Sequence, residues 1–328
     1  MKVKIFFLPD TGGKPKILYS KADITMNKKY EGLGITYSFA SPLVKYFLKK
    51  TPYIRGANLI GSLLLRFMPF LDKRTFLEFK GLKCPLDLKY KTHFSFLKNQ
   101  PYEPLESYLI ISVLDEADVF FDIGANWGYY TFLGSVAVGD GGEVVAIEGN
   151  YKTFRKLQEM VTTLSLSNVL PFNVAMSNVT GRKVSISLPW YKIDTGGFIK
   201  VNDSRFNVST KTLDFLWYQL GRPKVKMIKI DTEGAELLIL EGAKRFFTEG
   251  LTYAALIEIG NWPKQRFGCE PIMIYKKMQE FGFTYAYGIS NDKLIEINMP
   301  VDKSNCFVGN VFFGKTPLSE SISLKLLL

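Results

Sequence analysis

Three acidic residues, Asp122, Glu148 and Asp231, each close a short apolar run in this 328-residue chain. The first run is Val119-Phe120-Phe121, and Asp122 leads from it into Ile123-Gly124-Ala125-Asn126-Trp127-Gly128. An apolar run that ends in a tight turn and then a helix start marks the carboxyl edge of a parallel sheet, where doubly wound folds bind nucleotides. Gly124 and Gly128 remove side chains and so let a ligand approach the backbone. The spacing is D-x-G-x-x-x-G, which differs from the dinucleotide pattern G-x-G-x-x-G. An acid just before the first glycine suits a ligand with a cationic end better than a pyrophosphate. S-adenosylmethionine (SAM), with its ammonium and sulfonium, is such a ligand.

The elements needed to position these acids follow in order. Tyr129 to Val138 is apolar enough for a crossover helix, and Gly139-Asp140-Gly141-Gly142 ends it. Val144-Val145-Ala146-Ile147 is the second strand, and Glu148 stands where a nucleotide site places an acceptor for ribose hydroxyls. Tyr151 to Leu166 has the three-to-four-residue period of a helix. Asn168 to Ala175 reads as a third strand, with Asn173 and Ala175 where adenine would be contacted. Val225 to Ile230 is the fourth and ends in Asp231. Tyr253 to Ile259 is the fifth and carries Glu258 near its end. Phe283–Ile289 and Cys306–Phe313 read as the last two. With right-handed crossovers the parallel strand tips share one edge.

At these residues the chain resembles the FkbM family of SAM-dependent methyltransferases. The segments that carry the resemblance are Phe121 to Thr131, Ala146-Ile147-Glu148, Asn173-Val174-Ala175, Lys211-Thr212-Leu213-Asp214 and Ile228 to Glu236, with Tyr102-Glu103-Pro104 upstream. It covers roughly residues 75 to 314. It implies a class I methyltransferase fold, a Rossmann-like α/β sheet of seven mostly parallel strands with helices on both faces and the last strand antiparallel. It also implies that Asp122, Gly124, Ala125, Asn126 and Gly128 line the methionine end of SAM, Glu148 the ribose and Asn173 the adenine. Thr131, Ala175 and Asp231 complete the candidate cofactor set. The family usually has proline where Gly149 stands, which alters loop stiffness and leaves the carboxylate. The activity implied is O-methylation of a hydroxyl on a glycan, glycolipid or small molecule.

Methyl transfer from a sulfonium is an in-line displacement that rewards positioning, and a hydroxyl acceptor must also lose a proton. The chain has one histidine, His93, in a stretch (Tyr90 to Phe96) that reads as a strand and looks structural. A carboxylate is therefore the expected base: Asp231 first, then Glu233 and Glu258, with Asp231 as a pure positioning group the competing role. A divalent metal would require Asp231, Glu258 and Asn261 to converge. Strand-tip oxygens often converge without one, so no metal is expected. Trp190 to Phe198 and Asn261-Trp262-Pro263 are the candidate acceptor loops.

Composition sets the outer bounds. Apolar residues make up 47% of the chain, enough for one large α/β domain plus an extension. Cys84, Cys269 and Cys306 are widely spaced, which argues against a disulfide framework or zinc cluster and fits a reducing, cytoplasmic setting. The net charge is +11, and residues 1–100 hold 19 of the 42 Lys and Arg but only 6 of the 31 Asp and Glu. The expected organisation is a basic, partly helical extension over 1–74, the methyltransferase domain over 75–314 and a tail over 315–328. Pro42–Lys50 and Ala57–Leu71 read as helices too short and too charged to span a bilayer. A solvated cap on the core is the simpler reading of them, and peripheral contact with an anionic membrane the sharper one. No aromatic-basic repeat supports nucleic-acid binding. An RNA acceptor and a non-catalytic scaffold on the same fold are the rival functions.

Overall fold

The computed structural model describes residues 35–38, 76–86, 93, 102–187, 198–200, 207–260, 270–290, 293–302 and 305–318. The helices expected at Pro42–Lys50 and Ala57–Leu71, most of both acceptor loops and the end of the tail lie outside them.

A small antiparallel sheet comes first: β1 (Ile35–Ser38), β2 (Phe76–Phe79) and β3 (Leu82–Pro85). Lys80 and Gly81, both at positive φ, make the β2–β3 turn. Strands β2 and β3 thus form a hairpin, and β1 joins it from within the segment read as an extension.

The chain then alternates helix and strand: α1 (Pro104–Val113), β4 (Val119–Ile123), α2 (Tyr129–Val138), β5 (Glu143–Ile147), α3 (Tyr151–Thr163) and β6 (Val169–Phe172). Next come β7 (Ala175–Met176), β8 (Lys183–Ser187), β9 (Phe198–Lys200), β10 (Asn207–Lys211) and α4 (Leu213–Gln219). The rest is β11 (Met227–Ile230), α5 (Glu236–Glu241), α6 (Lys244–Glu249), β12 (Ala254–Ile259), α7 (Pro271–Glu280), β13 (Tyr285–Ser290), β14 (Lys293–Ile297) and β15 (Gly309–Gly314).

The main sheet runs β14-β13-β15-β12-β11-β4-β5-β6. Strands β6, β5, β4, β11 and β12 are mutually parallel, and β15 is antiparallel to both its neighbours. This is the expected class I arrangement with one correction: an eighth strand, β14, pairs antiparallel with β13 at the edge. The central strands are buried on both faces and are mostly apolar rather than alternating, with Asp122 and Lys229 as buried exceptions. Phe120, Met227 and Leu256 pack beneath α1 and α2, while Phe121, Ile228 and Ile257 pack on the other face with α4 to α7. Neighbouring residues of one strand thus serve opposite cores.

Two further readings need correction. Asn168 to Ala175 is not one strand. The chain leaves the main sheet after Phe172, and Ala175–Met176 pairs with β10 in a separate four-stranded sheet. Pro171 sits within β6, which among the described residues is the last strand at that side of the main sheet. His93 has helical rather than strand backbone; it is buried edge-on to Trp127, with ring centroids 4.4 Å apart. Asn168 ties the end of α2 to the start of β6: its Nδ2 donates to the Ser135 and Gly139 carbonyls, and its Oδ1 accepts from Ser135 Oγ.

Candidate active site

The loop after β4 is knitted to the end of β5. Gly124 N and Ala125 N both donate to the Ile147 carbonyl, at 2.8 and 2.9 Å. Asn126, at φ +54°, donates its backbone N–H to Glu148 Oε2 at 3.0 Å. Glu148 Oε1 accepts from Asn150 N at 2.7 Å, and Asn150 Oδ1 in turn caps α3. Burial pushes the Glu148 carboxyl up to about 7, against the two backbone donors that favour its charge. Asn173 Nδ2 donates to the Glu148 and Gly149 carbonyls, fixing the β6–β7 turn beside that acid.

A cleft of about 450 Å³ of empty space, open to solvent, lies along this edge. Gly124, Glu148, Gly149, Val174, Ala175 and Thr232 line it, with Ile186 from β8 on the small sheet. Three predicted residues, Gly124, Glu148 and Ala175, therefore meet around one space. A Cβ at Gly149 would stand 2.4 Å from Ile186 Cδ1, so a bulkier residue there requires Ile186 to swing aside.

The glycines also serve the packing of the protein itself. At Gly124 a Cβ would come 1.8 Å from the Asp231 carbonyl oxygen, so the missing side chain lets two protein loops touch. At Gly128 it would meet Met160 and Leu157 at 2.3 and 2.8 Å, which lets α3 close on the start of α2.

The remaining predicted acids gather separately, under α1 and α2. Register places Lys229 of β11 beside Asp122 of β4, and parallel pairing puts both on the same face. Asp122 Oδ2 accepts from Thr131 Oγ1 at 2.6 Å; both residues are buried, and Thr131 serves as a brace for the acid. Asp122 Oδ1 has no hydrogen-bond partner among the described residues. Burial raises the Asp122 carboxyl, and Lys229 and Thr131 oppose that.

Lys229 was not among the sequence candidates. Its Nζ lies 2.7 Å from Asp231 Oδ2 and 4.7 Å from the centre of the Tyr130 ring. Its side chain is 5% exposed and that of Asp231 34%. Burial works to raise Asp231, but the Lys229 charge and hydrogen bonds from Glu258 and Lys229 outweigh it and hold the carboxyl below its ordinary range. Glu258 is pushed up to about 9, by burial first and by the Asp231 charge second, so at neutral pH it carries the proton of their hydrogen bond. Burial opposes the charge on Lys229, yet Asp231, Asp122 and Glu103 together raise it.

Glu103, at the start of α1, accepts a short hydrogen bond from the Tyr130 hydroxyl and is raised by burial. Glu106 Oε1 accepts from Asn310 Nδ2 at 2.8 Å and rises to about 7 through burial. Glu233 lies half-buried at φ +57° in the loop after β11 and adds its charge against Glu258. Glu236 is an internal brace whose Oε1 accepts from Thr232 N, Thr232 Oγ1 and Gly234 N. Asn261 lies outside the described residues, among which no group of three His, Cys, Asp or Glu is placed to hold a metal. No described helix is long and apolar enough to cross a membrane.

The sequence model of the Methyltransferase FkbM domain matches residues 122–285, half of the chain. Hexuronic acid methyltransferase AglP of Haloferax volcanii is 30% identical over 135 residues, 41% of this chain and 53% of that protein. The match thus spans about half the length of that relative. Among solved structures, a SAM-dependent methyltransferase from Aquifex aeolicus is 13% identical, with 66% of this chain and 90% of that one covered and a TM-score of 0.37. Methyltransferase FkbM from Methylobacillus flagellatus KT is 16% identical, covering 68% and 54%, with a TM-score of 0.39. Superpositions at these scores add nothing to the assignment, which rests on the sequence match across the strand tips just described. The chain belongs to the FkbM family of SAM-dependent methyltransferases.

Proposed function

We propose that this protein O-methylates a hydroxyl on a glycan, glycolipid or small molecule, a uronic-acid-containing glycan being the leading acceptor class. The cleft bordered by Gly124, Glu148 and Ala175 carries the donor half of this reading. The acceptor half is supported by the partial relationship to a hexuronic acid methyltransferase.

The residues present fit SAM. Glu148 offers a carboxylate at the cleft for ribose hydroxyls, and Val174 and Ala175 offer an apolar wall for adenine. Asp231, held ionised and partly exposed, offers negative charge to a cationic methionine end, while the buried Asp122 keeps one carboxyl oxygen without a partner among the described residues. Bound SAM would supply an electrophilic methyl group, its sulfonium becoming a neutral thioether as the S–CH3 bond breaks. Asp231 would hold the acceptor hydroxyl in line and take its proton as the O–CH3 bond forms. Its low proton affinity makes it a weak base, so positioning carries more of the rate than proton abstraction. Glu258, protonated, steadies Asp231 by donating to it, and Glu233 stands behind as a further charge.

Methyl-tritiated SAM incubated with uronic-acid oligosaccharides should label them, and the label should survive mild alkali. An ether withstands that treatment and a methyl ester does not. Label lost to alkali would overturn hydroxyl methylation. No transfer to uronic-acid, neutral or lipid-linked glycans would overturn the acceptor class.

Glu148→Ala is expected to weaken SAM binding by about 1–3 kcal/mol, the scale of an unmatched polar partner. Calorimetry reads this directly, and parent-like affinity would place the ribose elsewhere.

A further inference from the structure

We infer that Lys229 is a positioning residue for methyl transfer, acting through Asp231 as the fixed countercharge that keeps that carboxylate anionic toward the donor. This rests on the proposed placement of SAM along the strand tips.

Four carboxyl groups, those of Asp231, Asp122, Glu103 and Glu106, feel the charge of one lysine here, and a fifth, Glu258, is hydrogen-bonded to Asp231. Asp122 approaches from β4, Asp231 from the tip of β11, Glu258 from β12, and Glu103 and Glu106 from the start of α1. Tyr130 of α2 and Tyr102 complete the wall, and Glu233 and Glu236 add charge near Glu258. Without a cation, so many acids held together would retain protons, because like charges in a poorly solvated site disfavour ionisation. Lys229 makes its closest ion pair with only one of them, Asp231, at 2.7 Å. That contact comes from beneath the tip and leaves the Asp231 side chain 34% exposed above. The lysine thus selects which acid is anionic while itself staying buried. A lysine that merely filled the core would have no need of an acid at the tip, and the alternation of β11 would admit a methionine, as at Met227 two residues earlier.

The test is SAM affinity by calorimetry between pH 5 and 9 in the full chain. In the parent, the contribution of Asp231 to binding a cationic ligand persists to the low end of this range. Lys229→Met should move its loss upward by about 1–3 pH units, the shift that an adjacent cation imposes on a carboxylate. Lys229→Arg should restore the parent profile. In an Asp231→Asn background, Lys229→Met should produce no such movement, which separates action through Asp231 from a general change in the site. If Lys229→Met does not fold, Lys229→Gln keeps a donor beside Asp231 without the charge and should show the same movement. An unchanged pH profile in the neutral variant that folds, accompanied only by a lower melting temperature, would overturn the inference and leave Lys229 a core residue. A parent that binds no SAM at any pH would overturn the SAM placement itself, a distinct result.

Discussion

Gly124→Ala is expected to abolish detectable SAM binding and to destabilise the fold by on the order of 3 kcal/mol. The residue sits at φ +81°, where an L side chain is strained by about 1–2 kcal/mol. The added Cβ would stand 1.8 Å from the Asp231 carbonyl oxygen and 2.8 Å from its carbon. Those are backbone atoms, so no rotamer change relieves the clash. Moving the β4 loop would break the bonds from Gly124 and Ala125 to Ile147 and pull Asn126 from Glu148. Moving the β11 loop would displace Asp231 from Lys229. Either route separates the donor cleft from the acid cluster. Gly141→Ala is the control, since its Cβ would meet only Ala117, at an ordinary 3.6 Å. Equal SAM affinity in the two variants would show that loop contact at Gly124 is dispensable.

The ligand-free protein should also lose stability as pH rises, with its melting temperature highest near pH 5. Glu106 and Glu148 at about 7, and Glu258 at about 9, lie above their ordinary 4.5; Glu103 and Asp122 are raised as well. Between the unfolded and folded values such a group binds more protons in the folded state, so stability declines with pH across that window. Asp231 has the opposite sign, but its lowered carboxyl contributes fully once pH exceeds the ordinary 3.8. The raised Lys229 loses its contribution only above the ordinary lysine range. Neither offsets the decline between pH 5 and 8.5. A fall of more than about 5 °C across that interval is expected, at roughly 2–4 °C per kcal/mol for a domain of this size. Scanning calorimetry in buffers of matched ionic strength measures it. A flat or rising profile would mean that these acids are not protonated in the folded state. Added SAM should flatten the decline, because a cationic ligand favours the deprotonated cluster.

The sheet was legible because its central strands are apolar runs that stop at an acid, and that pattern has few other meanings. The bounds expected for α2, Tyr129 to Val138, match because Gly128 and Gly139, both at positive φ, flank a mostly apolar run. What escaped was decided by neighbours distant in sequence. Lys229 reads as a strand residue of no special note until Asp122, 107 positions earlier, is set beside it by register. The break after Phe172 leaves no mark either, since Val174 and Ala175 continue the apolar character while pairing moves to β10. Strand β14 is a short segment with no tip acid to announce it. The alternation around His93 imitated a strand, but burial against Trp127 governs that position. The glycines have a role the sequence did not show: their absent side chains accommodate the protein's own backbone and α3.

Pro171 has a consequence for how this molecule meets others. At the two ends of β6 the carbonyls of Asn168 and Phe172 accept from the backbone N–H groups of Val144 and Glu148, so even-numbered residues turn their backbone groups inward. Pro171, an odd-numbered residue, therefore faces outward from the last strand. A proline has no N–H to offer, and a visiting strand laid along this edge would leave an acceptor unmatched midway. Among the described residues, the side of the sheet nearest the adenine wall thus resists growth by strand addition, which keeps the donor cleft at a rim.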